Sequence, residues 1–184
     1  FAGRYAGRLN NEGSNNNFIG HNAGAANTSG VHNNFMGINA GVNNTVGGCN
    51  NFFGRCAGFS NIEGNHNIFM GGNAGKENTT GDSNIFMGVN AGSCNTNGFH
   101  NVFMGAAAGV NNKPAPRNVF IGRCAGCSNT TGSGNFAVGV QAGKGLDDGS
   151  NNVFLGPQAG RSNTSGNSNY FFGQFAGRDN ITGC

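Results

Sequence analysis

The sequence lacks tryptophan and is poor in charge, since only 9% of its 184 residues are Asp, Glu, Lys or Arg. The net charge is +3, and the basic residues are scattered instead of being interleaved with aromatics in one run. A nucleic-acid interface needs such a basic cluster, so we expect no nucleic-acid partner. No apolar run approaches the ~18 residues that cross a bilayer, so we also expect no membrane span.

Catalytic patterns are missing as well. No nucleophile recurs beside a base, and Asp147-Asp148 is an isolated acidic pair. The glycines follow turns and do not form the strand-loop-helix motif that binds phosphate. We therefore expect no enzymatic activity and no cofactor.

What the sequence contains is a seventeen-residue unit, repeated eleven times without a change of phase. Its pattern is F-(M/I/F)-G-x-x-A-G-x-x-N-T-x-G-x-x-N-(N/I/V), and residues are described below by their position in this unit. A short fixed period indicates stacked units, each of which buries its apolar residues only against its neighbours. Residues 1–184 are thus predicted to be one repeat array, with irregular copies at 103–119 and 137–153.

Each unit has room only for short strands and turns, because it lacks a helical period and carries glycine at positions 3, 7 and usually 13. The strand is predicted over N-(I/V)-F-M-G, with a second, weaker extended segment over Ala-Gly-x-x-Asn-Thr. The sequence therefore predicts an all-β fold, a parallel β-solenoid (β-roll) of eleven coils stacked ~4.8 Å apart. Each glycine is expected at a tight corner with positive φ or at a close backbone approach.

Stacking in register brings identical side chains into columns. Phenylalanine rings are expected to stack at position 1, and asparagine amides at position 10 to bond up and down the array. The phenylalanine column, in which Ala137 is the one replacement, is Phe1, Phe18, Phe35, Phe52, Phe69, Phe86, Phe103, Phe120, Phe154 and Phe171. The asparagine ladder is Asn10, Asn27, Asn44, Asn61, Asn78, Asn95, Asn112, Asn129, Asn163 and Asn180.

Both faces of the predicted strand are apolar. Alternation places positions 17 and 2 on one face and position 1 on the other. One face fills the coil interior, and the other would leave an apolar stripe too large for a monomer. We expect this stripe to be buried against other chains, in a bundle or trimer; the alternative is a flattened coil whose own loops cover both faces. The first and last copies resemble interior copies, which favours head-to-tail growth.

The six cysteines do not form an obvious internal disulfide framework. Cys56 and Cys124 share position 5 but lie four coils, or ~19 Å, apart, beyond the reach of a disulfide. Cys124 and Cys127 form a C-x-x-C pattern without the helix N-terminus that would lower a thiol pKa, which argues against a redox site. A disulfide between subunits, with Cys184 as the candidate, and free thiols remain the two interpretations.

Position 15 carries His32, Cys49 and His66 in three successive copies, and zinc favours such ligands. Only three are present, however, which favours a solvated loop column, and the acidic residues are too scattered for a calcium motif. We therefore expect no metal site.

Two other columns suggest surface functions. N-x-(S/T) sequences make candidate glycosylation sites, for which an unmodified Asn ladder is the alternative. The candidates are Asn27, Asn43, Asn78, Asn129, Asn163 and Asn180. A threonine column at position 11 suggests ice binding, although several other residues interrupt it; its members are Thr28, Thr45, Thr79, Thr96, Thr130 and Thr164.

The two irregular copies carry altered turns. One contains Lys113-Pro114-Ala115-Pro116-Arg117, and the other contains Leu146-Asp147-Asp148. Because proline removes a ladder donor, these turns are predicted to bulge from the rod. They are candidates for a lateral contact, with a tolerated loop variant as the equal alternative.

Segments 118–126 (NVFIGRCAG) and 152–160 (NVFLGPQAG) resemble the S-V-A-I-G-x-x-A repeats in the heads of trimeric autotransporter adhesins, and Gly/Asn-rich repeats of phage and bacterial fibre proteins. The resemblance implies left-handed parallel β-rolls packed as trimers and used for surface attachment. This chain departs from those repeats in its longer unit and in having Phe where they carry a small residue.

The expected function is that of an extracellular structural protein that assembles into a fibre through stacked ladders and apolar side faces. The alternative is an adhesin head, with glycans or a surface receptor as partner, or an ice-binding protein. The chain starts on a repeat boundary without methionine, as expected for a piece of a longer or processed polypeptide.

Overall fold

A computed structural model describes residues 1–183 and confirms the parallel β-solenoid. The strands are β1 Asn17–Ile19, β2 Asn34–Met36, β3 Asn51–Phe53, β4 Ile68–Met70, β5 Ile85–Met87, β6 Val102–Met104, β7 Val119–Ile121, β8 Phe136–Val138, β9 Val153–Leu155 and β10 Tyr170–Phe172. They form one parallel sheet in chain order, and the first copy adds a bridge between Ala2 and Ile19. Equivalent repeat positions pair throughout, as Phe86 does with Phe103.

The second extended segment was predicted wrongly, because positions 4 to 9 form turns. In one copy Ala23 N donates to Gly20 O at 3.2 Å, Ala25 N to Asn22 O at 3.2 Å and Asn27 N to Gly24 O at 3.1 Å. Alternate residues are left-handed there, with φ of 133° at Gly20, 57° at Asn22 and 56° at Gly24. A chain that reverses its handedness at every second residue cannot remain extended.

Hydrogen bonds between coils nevertheless continue around the perimeter. Gly24 N donates to Ala40 O at 3.0 Å and Asn39 N to His21 O at 2.9 Å, both outside the sheet. At the far corner the carbonyl of Thr45 accepts from three successive backbone amides of the preceding copy. Each coil is therefore bound to the next at several corners as well as along its strand.

The interior is a stack of phenylalanine rings. From Phe18 to Phe120 every ring at position 1 is fully buried. Successive rings within the range Phe35 to Phe103 lie 4.7–4.9 Å apart between centroids and within 6° of parallel. The edge of a ring packs against the glycine at position 7 of the same copy: a Cβ on Gly75 would be 2.5 Å from Cε2 of the Phe69 ring. A side chain there would displace the ring, which explains why the glycine never varies.

Both irregular turns keep to the path of the coil, so the predicted bulges are wrong. Ala115 is buried at position 13, and its carbonyl accepts hydrogen bonds from Asn101 Nδ2 at 3.0 Å and Asn112 Nδ2 at 2.9 Å. Leu146 is buried in the core, and Asp147 N donates to Thr164 O at 2.9 Å. In regular copies three successive backbone amides share one carbonyl acceptor, and the amide at position 12 is one of them; an example is Ser29 N, which donates to Thr45 O at 3.3 Å. Pro114 at position 12 therefore removes only one of three such donors.

Candidate assembly surface

The asparagines at position 10 form a ladder inside the solenoid. Asn44 Nδ2 donates to Asn27 Oδ1 at 2.8 Å and to Gly47 O at 2.9 Å, and Asn61 Nδ2 continues to Asn44 Oδ1 at 2.7 Å. All of these side chains are fully buried. Buried amides need partners, and the repeat supplies one from the preceding coil and one from the residue three places ahead.

A second buried ladder lies at position 16, and sequence reasoning missed it. Asn84 Nδ2 donates to Gly98 O at 2.8 Å, and Asn84 Oδ1 accepts from the backbone amide of Asn101 at 3.0 Å. The sequence did contain a signal for this ladder: asparagine occupies position 16 in every complete copy, whereas Leu146 interrupts position 10. The members are Asn16, Asn33, Asn50, Asn67, Asn84, Asn101, Asn118, Asn135, Asn152 and Asn169.

Leu146 interrupts the position-10 ladder in the copy where Ala137 interrupts the ring stack. Four buried polar atoms near this break have no hydrogen-bond partner: Asn129 Oδ1, Asn163 Nδ2, Asn163 Oδ1 and Asn180 Nδ2. In regular copies the ladder uses all of these atoms. The ninth copy is thus a defect in both internal columns.

Most of the candidate glycosylation sites lie inside the solenoid. The side chains of Asn27, Asn78, Asn129 and Asn163 are fully buried, and Asn180 is half-buried. A glycosylated asparagine must point to solvent, so burial favours the ladder interpretation at the four buried positions. Asn43 is exposed, and its glycosylation stays a prediction.

The threonine column contacts protein instead of offering free hydroxyls. Thr28 Oγ1 donates to Thr45 O at 3.1 Å, Thr79 Oγ1 to Thr96 O at 3.1 Å and Thr164 Oγ1 to Ile181 O at 3.2 Å. Five of the six hydroxyl protons are therefore committed to the next coil, and Thr96 Oγ1 donates to Asn97 Oδ1 of its own copy at 3.1 Å. This commitment reduces what the column can offer to ice.

No disulfide forms among the five cysteines within residues 1–183. Cys184, the candidate for a link between subunits, lies outside the described residues. Burial, with a smaller contribution from the Cys124 thiol, raises the pKa of Cys127 from 9.0 to about 11. Cys127 is consequently a protonated thiol near neutral pH.

His32, Cys49 and His66 form the expected exposed column at position 15. Their backbones are left-handed, with φ of 58°, 59° and 57°. Across residues 1–183 no group of three or more His, Cys, Asp or Glu side chains is arranged to hold a metal ion.

The outward side of the sheet, made by positions 17 and 2 of β1–β10, is called the outer face here. Position 1 points inward and positions 17 and 2 point outward, as predicted. At position 2, Met36 is 36% exposed, Met70 39% and Leu155 42%. The flattened coil with self-covered faces is therefore wrong, because no loop of the described chain reaches across the sheet.

No charged residue lies on the outer face along the whole sheet. Ten strands ~4.8 Å apart and three residues of ~3.3 Å give a strip of about 48 by 10 Å. Charges are the usual device that keeps exposed sheets from associating. The outer face lacks them.

One shallow hollow interrupts the opposite corner of the rod. It has a volume of about 500 Å³ and is lined by Ser128, Lys144, Gly145, Arg161, Ser162 and Thr164. Gly145 opens it by removing the side chain at position 9. Lys144 and Arg161 lie at position 8 of adjacent coils and make no ion pair with any described residue.

Comparison with protein-family models, with curated proteins and with solved structures finds no match. Among the described residues, no helix has the length and apolar character needed to cross a membrane. The columns and the outer face are therefore the features from which a function must be argued.

Proposed function

We propose that this chain is an extracellular structural protein, a β-solenoid segment that assembles into a fibre. The uncharged outer face carries this proposal. A contiguous uncharged strip of about 48 by 10 Å has the size of the largest patches on monomeric proteins, and such patches are often interaction sites.

The internal columns support a rigid rod. Each coil repeats the same ring stack, two amide ladders and backbone bonds on both of its sides. In a repeat protein these contacts between neighbours supply the stability, so length is gained by adding units. Such a rod gives a fibre stiffness without a separate globular core.

The end coils supply a second route to assembly. The Phe1 ring stacks on Phe18 at 4.8 Å and is 62% exposed, so its other side is ready for a further coil. A further coil of the same chain and the last coil of a second copy could each cover the exposed side of the Phe1 ring equally well. Either would extend the same columns.

The test is to place charge on the outer face. Met70→Lys with Met104→Lys should dissociate the assembled protein, because two ammonium groups would be buried in an apolar contact. The matched control is Val46→Lys with Ile62→Lys, which adds the same charge at exposed apolar positions away from the sheet. Static light scattering measures the mass. A wild-type mass equal to one chain at micromolar concentration would refute the proposal.

An adhesin head is the second candidate, and the hollow at Lys144 and Arg161 favours it, since two unpaired cations beside hydroxyl groups suit an anionic ligand. Binding of anionic saccharides to the wild type, lost in Lys144→Gln with Arg161→Gln, would support this candidate. Ice binding is disfavoured by the committed threonine hydroxyls.

A further inference from the structure

The outer face is not uniform along the rod. At position 17 the first three strands carry Asn17, Asn34 and Asn51, whereas β4–β10 carry only Ile, Val, Phe or Tyr. Asn17 Nδ2 donates to Asn34 Oδ1 at 3.1 Å at the surface. Covering these amides with an apolar surface would remove their water without supplying new partners.

The two flanks of the outer face do not change in the same direction, because position 15 on one flank carries exposed His66, His100 and Arg117 beside β4–β7. Position 4 follows each strand after one glycine and carries Arg4, His21 and Arg55 among the first four copies. Beside β4–β10 the only charged residue at this position is Arg123. Since the rim of an interface is normally polar, the flanks do not separate the two parts of the outer face, and the difference lies in the position-17 residues themselves.

The apolar part is large enough for a partner. Two outward side chains on each of the seven strands β4–β10, with about a third of ~180 Å² exposed on each, give about 800 Å² per copy. That is the area one partner contributes to a stable interface of standard size. The C-terminal end adds Phe136, Tyr170 and Phe172, all exposed aromatics of the kind that dominate interface energies.

A second copy of this chain fits the surface because it presents an identical uncharged strip with the same spacing between strands. We infer that copies associate through β4–β10 of the outer face and leave β1–β3 in solvent. This inference rests on the proposed function, whose partner and contact surface it specifies.

The four methionines provide a test in the unmodified chain. All lie at position 2: Met36 on β2, and Met70, Met87 and Met104 on β4–β6. Met36, Met70 and Met104 are exposed almost equally in the single chain, at 36%, 39% and 37%. Dilute peroxide oxidises exposed methionine to the sulfoxide, and peptide mass spectrometry gives the rate at each site.

The rates are compared below and above the concentration at which light scattering detects assembly. In the assembled protein Met70, Met87 and Met104 should oxidise at about one tenth of their monomer rates or below. Met36 should oxidise within about twofold of its monomer rate. Equal protection of all four, or protection of Met36 alone, would overturn the inference while leaving self-assembly standing. No assembly at any concentration would overturn both.

A pair of lysine variants gives a second measurement at position 17. Ile85→Lys with Val119→Lys should raise the dissociation constant by about a hundredfold or more, whereas Asn17→Lys with Asn34→Lys should change it by less than about threefold. Both pairs add the same charge to the same column. Equal effects of the two pairs would contradict the inference.

Discussion

Restoring the repeat consensus in the ninth copy, by Ala137→Phe together with Leu146→Asn, should stabilise the C-terminal part of the rod. The wild-type copy breaks the ring stack and the asparagine ladder at the same height. Phe154 partly fills the gap, since a Cβ on Gly143 would lie 2.8 Å from its ring, whereas in other copies the phenylalanine of the same copy covers this glycine. The double variant recreates the arrangement of the regular coils.

The gain in unfolding free energy can be worked from the contacts. Burying a phenylalanine and losing a buried leucine nearly cancel, at about 1.5–3 kcal/mol each. Two new ring stackings contribute about 1 kcal/mol each beyond burial. Partners for the two orphaned atoms that face Leu146, which are Asn129 Oδ1 and Asn163 Nδ2, contribute about 1 kcal/mol each at the low end of their range. After allowance for imperfect packing, we expect about 3 kcal/mol.

The single variants should not share this gain. Ala137→Phe alone would crowd Leu146 and Phe154 and cost about 1–3 kcal/mol. Leu146→Asn alone restores the ladder but leaves the space beside Ala137 empty, so its effect should be close to zero. The two changes are therefore expected to be strongly coupled in a double-mutant cycle.

Hydrogen exchange followed by mass spectrometry measures the effect locally, which suits a repeat protein whose unfolding need not be two-state. Backbone amides of residues 136–183 should exchange about a hundredfold more slowly in the double variant. Exchange at the wild-type rate, or effects of the two single changes that simply add, would refute the reasoning.

Two further predictions concern single residues. Gly75→Ala should destabilise the chain by at least about 1–2 kcal/mol, because Gly75 has a φ of 56° and a Cβ would meet the Phe69 ring. The control Gly72→Ala has open space around its Cβ and should change stability by less than about 0.5 kcal/mol. Similar denaturation midpoints for the two variants would contradict this prediction. Cys127, whose pKa is raised to about 11, should react with iodoacetamide much more slowly than Cys49 at pH 8, and equal rates would refute the raised pKa. Since the folded pKa of Cys127 lies above the unfolded value of 9.0, its contribution to stability should be lost as the pH rises from 9 to 11.

Much of the solenoid could be predicted from the sequence because register is fixed by the repeat. Once Phe86 and Phe103 occupy equivalent positions, parallel pairing follows, and alternation then decides that Met87 points outward. The exposed outer face was predictable for the same reason.

The turns were less predictable, because their conformation is imposed by stacking and not by local residue preference. Position 5 is left-handed whether it carries Asn22, Cys56, Ala107 or Phe175, with φ between 56° and 61°. Only asparagine among these favours that region on its own. The position-16 ladder was missed because its asparagines bond to the backbone and not mainly to each other: Asn84 Nδ2 donates to a backbone carbonyl, and Asn84 Oδ1 accepts from a backbone amide. Which backbone groups come within reach is known only once the coil path is known.

The most direct test of the account is cryo-electron microscopy of the native material at the highest concentration reached in solution. The account predicts filaments with a layer line at ~4.8 Å, in which strands β4–β10 of the outer face are covered by another copy. Discrete single rods with the outer face in solvent would contradict it and direct the search for a ligand to the hollow at Lys144 and Arg161.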